Sequence, residues 1–220
     1  MPWSPTICSL SWRSTSMCRK EMAKRGLPDG DVLSRVAVVT NRHLAARPYL
    51  EQIRRVCQLH PAAVIVREKD LEEEDYARLA GQVLAICREY QVPCVYHTYP
   101  EAALCAGVDA IHLPLALMKR YRETGILKEF IHVGTSVHSV REAEEALRLG
   151  ATCLTAGHIY LTDCKKGLPP RGTAFLQEIC ALADVPVWAI GGIHMGTGQM
   201  KEILSCGAAG GCIMSEMMRI

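Results

Sequence analysis

Apolar residues fall in short runs, each followed by a polar or glycine-containing turn and then by a stretch with helical spacing, and from Arg35 onward this unit repeats. Alternation of that kind predicts parallel strands joined by crossover helices. The runs at 36–40, 63–66, 94–96, 110–113, 132–134, 153–156, 187–190 and 212–214 predict eight strands, the number that closes a β/α barrel. The stretches at 49–59, 71–90, 100–106, 116–127, 140–149, 173–182 and 198–205 predict the intervening helices. Segment 140–149 is the clearest, because Ser139 can cap it and its acidic first turn suits the positive end of a helix. Gly107, Gly150 and Gly207 stand where three helices should stop. The predicted fold class is α/β, a (β/α)8 TIM barrel over 31–220. Only 215–220 follow the eighth strand, so the last helix is expected to be short or missing. That would expose apolar strand surface, to be covered by a partner subunit unless the record is incomplete.

Composition changes the picture mainly at the start of the chain. Residues 1–30 are rich in Ser, Arg, Pro and Cys and show no periodicity, with five Lys or Arg against two acids. They are expected to be a disordered extension or the product of a start placed too early, with Met22 as the real one. The whole chain, 25 basic against 23 acidic residues, lacks the concentrated basic face that nucleic acid or a membrane surface would select. No apolar run approaches the roughly 18 residues that cross a bilayer, so no membrane partner is expected. The 11 cysteines are scattered without a C-x-x-C pair, as expected of reduced, buried thiols in a cytoplasmic protein. A homo-oligomer is left open.

In a β/α barrel the chemistry sits on whatever follows the carboxyl end of each strand. Arg67 and Lys69 follow strand two and bring cations to the mouth, unless they pair with Asp70 or the acids at 72–75. His97 follows strand three. Ser136 and His138 follow strand five, and a neutral histidine there could both take and return a proton. Gly157–Gly172 reads as a long loop after strand six, with Lys165 or Lys166 able to close over an anion and Cys164 expected to pack. Gly191 and Gly192 end strand seven, and Met214 and Ser215 end strand eight. Loops seven and eight form the usual phosphate site of this fold, where glycine lets amides approach an oxyanion. The plain alternative is a turn that needs positive φ. His43, His60 and His132 are assigned to surface or packing, and His112 and His194 are left undecided.

The pieces VREK (66–69), GVDAIHL (107–113), VGTSVHS (133–139), the 157–166 loop, VPVWAIGGI (185–193) and GAAGGCIMS (207–215) together resemble the thiamine phosphate synthase family over 36–215. The resemblance implies a barrel enzyme acting on a small phosphorylated thiazole. Synthases of that family join a thiazole phosphate to a pyrimidine pyrophosphate with magnesium. Their strand-three Asn-Asp falls here on His97 and Thr98, and the second metal-binding Asp falls near Leu117. These departures resemble the TenI-like, thiazole tautomerase branch, whose loop reads much like GHIYLTDCKKG and whose strand-five motif carries SVHS. The resemblance then implies aromatisation of a carboxylated thiazole ethyl phosphate with His138 as acid and base, phosphate on Gly191, Gly192 and Ser215, and carboxylate facing Arg67 or Lys69 with Lys165. It implies no cofactor, with magnesium needed only by the transferase alternative. A noncatalytic phosphate-ligand sensor is the third reading.

Overall fold

The computed structural model describes residues 32–220. The order is β1 (Val36–Val39), α1 (Tyr49–Cys57), β2 (Ala63–Val66), α2 (Glu73–Glu89), β3 (Cys94–His97), α3 (Pro100–Cys105), β4 (Ala110–Pro114), α4 (Leu115–Thr124), β5 (His132–Val137), α5 (Val140–Arg148), β6 (Cys153–Gly157), α6 (Gly172–Leu182), β7 (Val187–Ile190), α7 (Gln199–Ser205) and β8 (Gly210–Ile213). The strands are all parallel and pair in sequence order, with β8 returning to β1 to close the barrel. The expected extension at 1–30 lies outside the described residues.

Strand alternation divides the buried residues into two sets. Ala37, Val39, Ala63, Ile65, Val95, Ala110, Cys153, Trp188 and Cys212 fill the barrel. Val36, Val38, Val64, Val66, Tyr96, Ile111, Leu113, Leu154 and Ile213 face the helical shell. The inward register continues past each strand, so Arg67, His97, His112, Ser136, Thr155 and Met214 share the face that leads to the mouth. His112, Gly134 and Cys153 pair across adjacent strands, as do Pro114, Ser136 and Thr155.

Ser139 Oγ accepts the Glu142 N–H and caps α5, and Gly107, Gly150 and Gly207 all take positive φ at helix ends, as the sequence predicts. Most boundaries shift by a residue or two, and three of the shifts have a visible cause. β5 runs on to Val137, three residues past the expected end, because Thr135 and Val137 are buried on the outward face; Ser136 therefore lies inside the strand. β8 begins at Gly210, two residues before the expected start, where a side chain would strike the Arg35 carbonyl oxygen at 2.2 Å and the Trp188 ring at 2.5 Å, so close packing admits only glycine. The expected 116–127 helix stops at Gly125, φ 80°, and a short 3-10 turn, Ile126–Glu129, follows.

After β8 the chain turns at 215–219. The expected bare strand surface is not found, because Val36, Val38 and Ile213 are at most 2 % exposed. Met217 and Met218 join the same buried cluster, and Gln52 Nε2 and the Ala46 N–H hold their carbonyls at 3.0 and 2.9 Å. The nine cysteines among the described residues are free thiols, but Cys105 and Cys164 are exposed rather than buried. No helix among the described residues is long and apolar enough to cross a membrane.

Candidate active site

The carboxyl ends of the strands bring the candidate residues into two groups, with His138 on the β5–β6 side. The first group is cationic. Arg67 is half-buried just past β2, and Lys69 is exposed two residues on. Lys165 comes from the β6–α6 loop, at the end of a 3-10 turn, Asp163–Lys165. Burial first, then the charges of Arg67 and Lys165, lowers the Lys69 pKa, as expected of cations crowded at one place. Burial likewise lowers Arg67. Among the described residues none of the three meets a carboxylate within ion-pairing distance. Asp70, the partner anticipated for Arg67 or Lys69, binds Arg42 and His43 instead, because the turn after β1 reaches it first.

His97 closes β3 beneath these cations. Its N–H donates to Tyr76 Oη at 2.7 Å, and Tyr76 in turn donates to the Val66 carbonyl, which locks the ends of β2 and β3 together. The His97 ring lies 2.5 Å from Thr98 Oγ1 through Nδ1 and stacks on His112 at 5.4 Å. Burial, then His112, Arg67 and Lys69, holds His97 well below the usual imidazole range. Burial pushes His112 down to about 4, so both rings are neutral near pH 7. His112 Nε2 lies 3.1 Å from Thr155 Oγ1. A cleft of about 220 Å³ opens beside them, lined by Lys69, His97, Thr98, Tyr99, Pro114 and Leu117 among others.

The second group surrounds the ends of β7 and β8. Gly191 and Gly192 have φ of 100° and 66°, and side chains there would strike His158 Cβ at 2.3 Å and the Leu161 carbonyl oxygen at 2.2 Å. The positive φ of the plain reading is thus present, and the glycines also let the start of the β6–α6 loop lie on β7. The loop is fastened there by Ile159 N–H to Ile190 and Tyr160 N–H to Gly191. The amides of Gly192 and Ser215 donate to no protein acceptor among the described residues, which leaves them free for an oxyanion. Met214 and Ser215 are half-buried beside this turn. Cys164, expected to pack, is exposed on the loop.

His138 is held at two points. Its N–H donates to Glu142 Oε2 at 2.6 Å, Glu142 answers the Ser139 cap, and its Nδ1 lies 2.6 Å from the Gly157 carbonyl oxygen. A carbonyl only accepts, so Nδ1 carries the proton and the neutral ring keeps its lone pair on Nε2. Gly157 pairs with Ile190, directly before the glycine turn, so the imidazole stands two strands from the candidate phosphate site, about 10 Å by strand spacing.

Residues 36–217 match the profile of the TMP-TENI family, described as thiamine monophosphate synthase. The chain belongs to that family. A thiamine-phosphate synthase from Clostridium novyi is 29 % identical over 191 residues, covering 86 % of this chain and 93 % of that protein. Thiamine-phosphate synthase 2 of Streptococcus pneumoniae is 28 % identical, covering 84 % and 88 %. A solved structure of thiamine phosphate pyrophosphorylase from Pyrococcus furiosus superposes with a TM-score of 0.71 at 26 % identity, covering 86 % of this chain and 89 % of that one. An N-acetylmannosamine-6-phosphate 2-epimerase from Clostridium perfringens, 13 % identical with a TM-score of 0.61, shares the fold.

The resemblance implies magnesium only for a transferase, and the side chains present bear on whether it could be held. The ends of β3 and β4 offer His97, Thr98, Pro114 and Leu117. The carboxylate lining the cleft, Glu68, gives its oxygens to Thr40 and Arg42. Among the described residues no three His, Cys, Asp or Glu side chains converge as ligands. The donors at this place do not fit a carboxylate-held divalent cation.

Sequence reasoning passed over Arg42 and Tyr76, which help to bind and orient the ends of β1, β2 and β3. The signal available was position, since each stands within a turn or helix adjoining the mouth.

Proposed function

We propose that this member of the thiamine monophosphate synthase family is a thiazole tautomerase, aromatising a carboxylated thiazole ethyl phosphate by an acid/base proton shift from the ring to its exocyclic carbon. The observation that carries the reading is the fixed tautomer of His138: with Nδ1–H on the Gly157 carbonyl, Nε2 is a base when the ring is neutral and an acid once it has taken the proton. Nε2 removes the ring proton and returns it to the exocyclic carbon, so the enzyme ends in the protonation state in which it began. Such a shift needs one positioned base and anion clamps. The amides at Gly191, Gly192 and Ser215, flanked by Met214, would take the phosphate. Arg67, Lys69 and Lys165 would face the carboxylate, with His97 and Ser136 lining the ring. The test is incubation with the unaromatised thiazole carboxylate phosphate while ultraviolet absorbance is followed. Aromatisation no faster than in buffer would remove the reading.

The names of the relatives favour a second reading, the transfer that joins a thiazole phosphate to a pyrimidine pyrophosphate. Both the Clostridium and Streptococcus proteins are called thiamine-phosphate synthases, and the Pyrococcus structure carries the equivalent name. Names support the transferase more directly than the tautomerase, whereas the side chains at the ends of β3 and β4 favour the proton shift. Thiamine phosphate formed from the two substrates with magnesium would decide for the transferase.

A further inference from the structure

Between the two cations that follow β2 stands a carboxylate that pairs with neither. The Glu68 side chain is 1 % exposed. Its Oε1 accepts Thr40 Oγ1–H at 2.8 Å and the Arg42 N–H at 3.2 Å, and its Oε2 accepts the Arg42 N–H at 3.1 Å and Nη1–H at 3.3 Å. Thr40 Oγ1 also accepts the Arg67 N–H at 2.9 Å. Arg42 is in turn forked onto Asp70 at 2.7 and 2.5 Å, and His43 Nε2 reaches the same carboxylate at 2.9 Å. Alternation sets this up. Arg67 and Lys69 continue the inward register of Ala63 and Ile65, while Glu68 continues the outward register of Val64 and Val66.

A buried charge is costly unless paired and hydrogen-bonded, and Glu68 is both, entirely through the turn after β1. The bonds fix the peptide of Arg67 from one side and Asp70 from the other. Arg67 and Lys69 are left at the mouth with no acid within ion-pairing distance among the described residues.

We propose that Glu68, gripped by Thr40 and Arg42, is a positioning residue that sets Arg67 and Lys69 as a two-pronged clamp for an anionic group of the substrate. This rests on the reading that the mouth takes a phosphorylated, anionic ligand. Glu68 itself does not touch that ligand; it acts through the loop it anchors. Its charge works against anion binding, and its geometry works for it. Removing the charge while keeping the shape therefore separates the two effects by sign.

The experiment titrates inorganic pyrophosphate into the full-length chain by calorimetry, with steady-state kinetics on the thiazole substrate alongside, for the wild type, Glu68→Gln and Arg42→Lys. Circular dichroism selects a temperature at which each is folded. By Coulomb's law alone Glu68→Gln should bind pyrophosphate more tightly. The clamp requires the opposite, a loss of about tenfold or more in affinity from misplaced cations, with KM raised and kcat little changed. Arg42→Lys keeps the charge, loses the fork and should weaken binding in the same direction. Equal or tighter binding by folded Glu68→Gln overturns the proposal. If that variant does not fold, unchanged affinity in Arg42→Lys overturns it. If wild type binds pyrophosphate but does not aromatise thiazole, the functional reading fails while the affinities still decide on the clamp. Failure of the wild type both to bind pyrophosphate and to turn over the thiazole substrate overturns both.

Discussion

Replacing His138 by Asn tests the proton shuttle with little disturbance of the fold. The imidazole makes one side-chain hydrogen bond, from Nδ1 to the Gly157 carbonyl at 2.6 Å, and the Asn carboxamide can donate to the same oxygen. Even its full loss is worth about 1 kcal/mol, roughly 2–4 °C in Tm for a chain of this size. The backbone bond to Glu142 and the Ser139 cap do not involve the ring. What Asn cannot supply is the Nε2 base. General acid/base catalysis contributes at least about 100-fold, some 2.7 kcal/mol of transition-state stabilisation, and that loss should appear in kcat with the substrate Kd held. The assay is the ultraviolet rate of aromatisation beside a calorimetric Kd. Near-full activity in folded His138→Asn would refute the role of the imidazole.

Gly192→Ala should lower Tm, because φ of 66° and a Cβ 2.2 Å from the Leu161 carbonyl oxygen together cost on the order of 1–3 kcal/mol; scanning calorimetry checks this, and an unchanged Tm would mean that the loop yields without cost. The folded pKa of His112, about 4, lies below the ordinary 6.5, so between pH 6.5 and 4 the unfolded chain binds more protons. Its contribution is complete above pH 6.5 and falls with acidification, by up to about 3 kcal/mol, with His97 acting in the same direction. Tm measured against pH should slope less in this window for His112→Gln, and an unaltered slope would contradict the assignment. Arg67→Met should raise KM for the anionic substrate about tenfold, and the wild-type KM should climb with added salt, since Lys69 is exposed; initial rates at two ionic strengths decide.

Most of the barrel was legible because its strands are apolar runs broken by turn chemistry, and each appears within a few residues of its expected place. The misplacements have local causes. Gly134 and Ser136 looked like the end of β5 because only register shows that they face the barrel, where a small residue fits against His112. β8 was expected to start only at Cys212 because the Arg35 carbonyl and the Trp188 ring that demand a glycine at 210 are distant in sequence. In the candidate site, position after a strand was enough to select His138, Arg67, Lys69, His97 and Ser215. It could not show what holds them. The Gly157 carbonyl under His138 and the Thr40–Glu68–Arg42 network are long-range contacts that no local pattern carries. Asp70 was a reasonable neighbour for Arg67 by spacing, and only the folded turn after β1 reveals that Arg42 takes it.

The most direct measurement is a crystal structure of the chain with the aromatic thiazole carboxylate phosphate bound. The expected result has phosphate oxygens on the amides of Gly192 and Ser215 and the reacting carbon within about 3.5 Å of His138 Nε2. Phosphate held instead by Arg67 and Lys69, with the thiazole ring out of reach of that nitrogen, would contradict it.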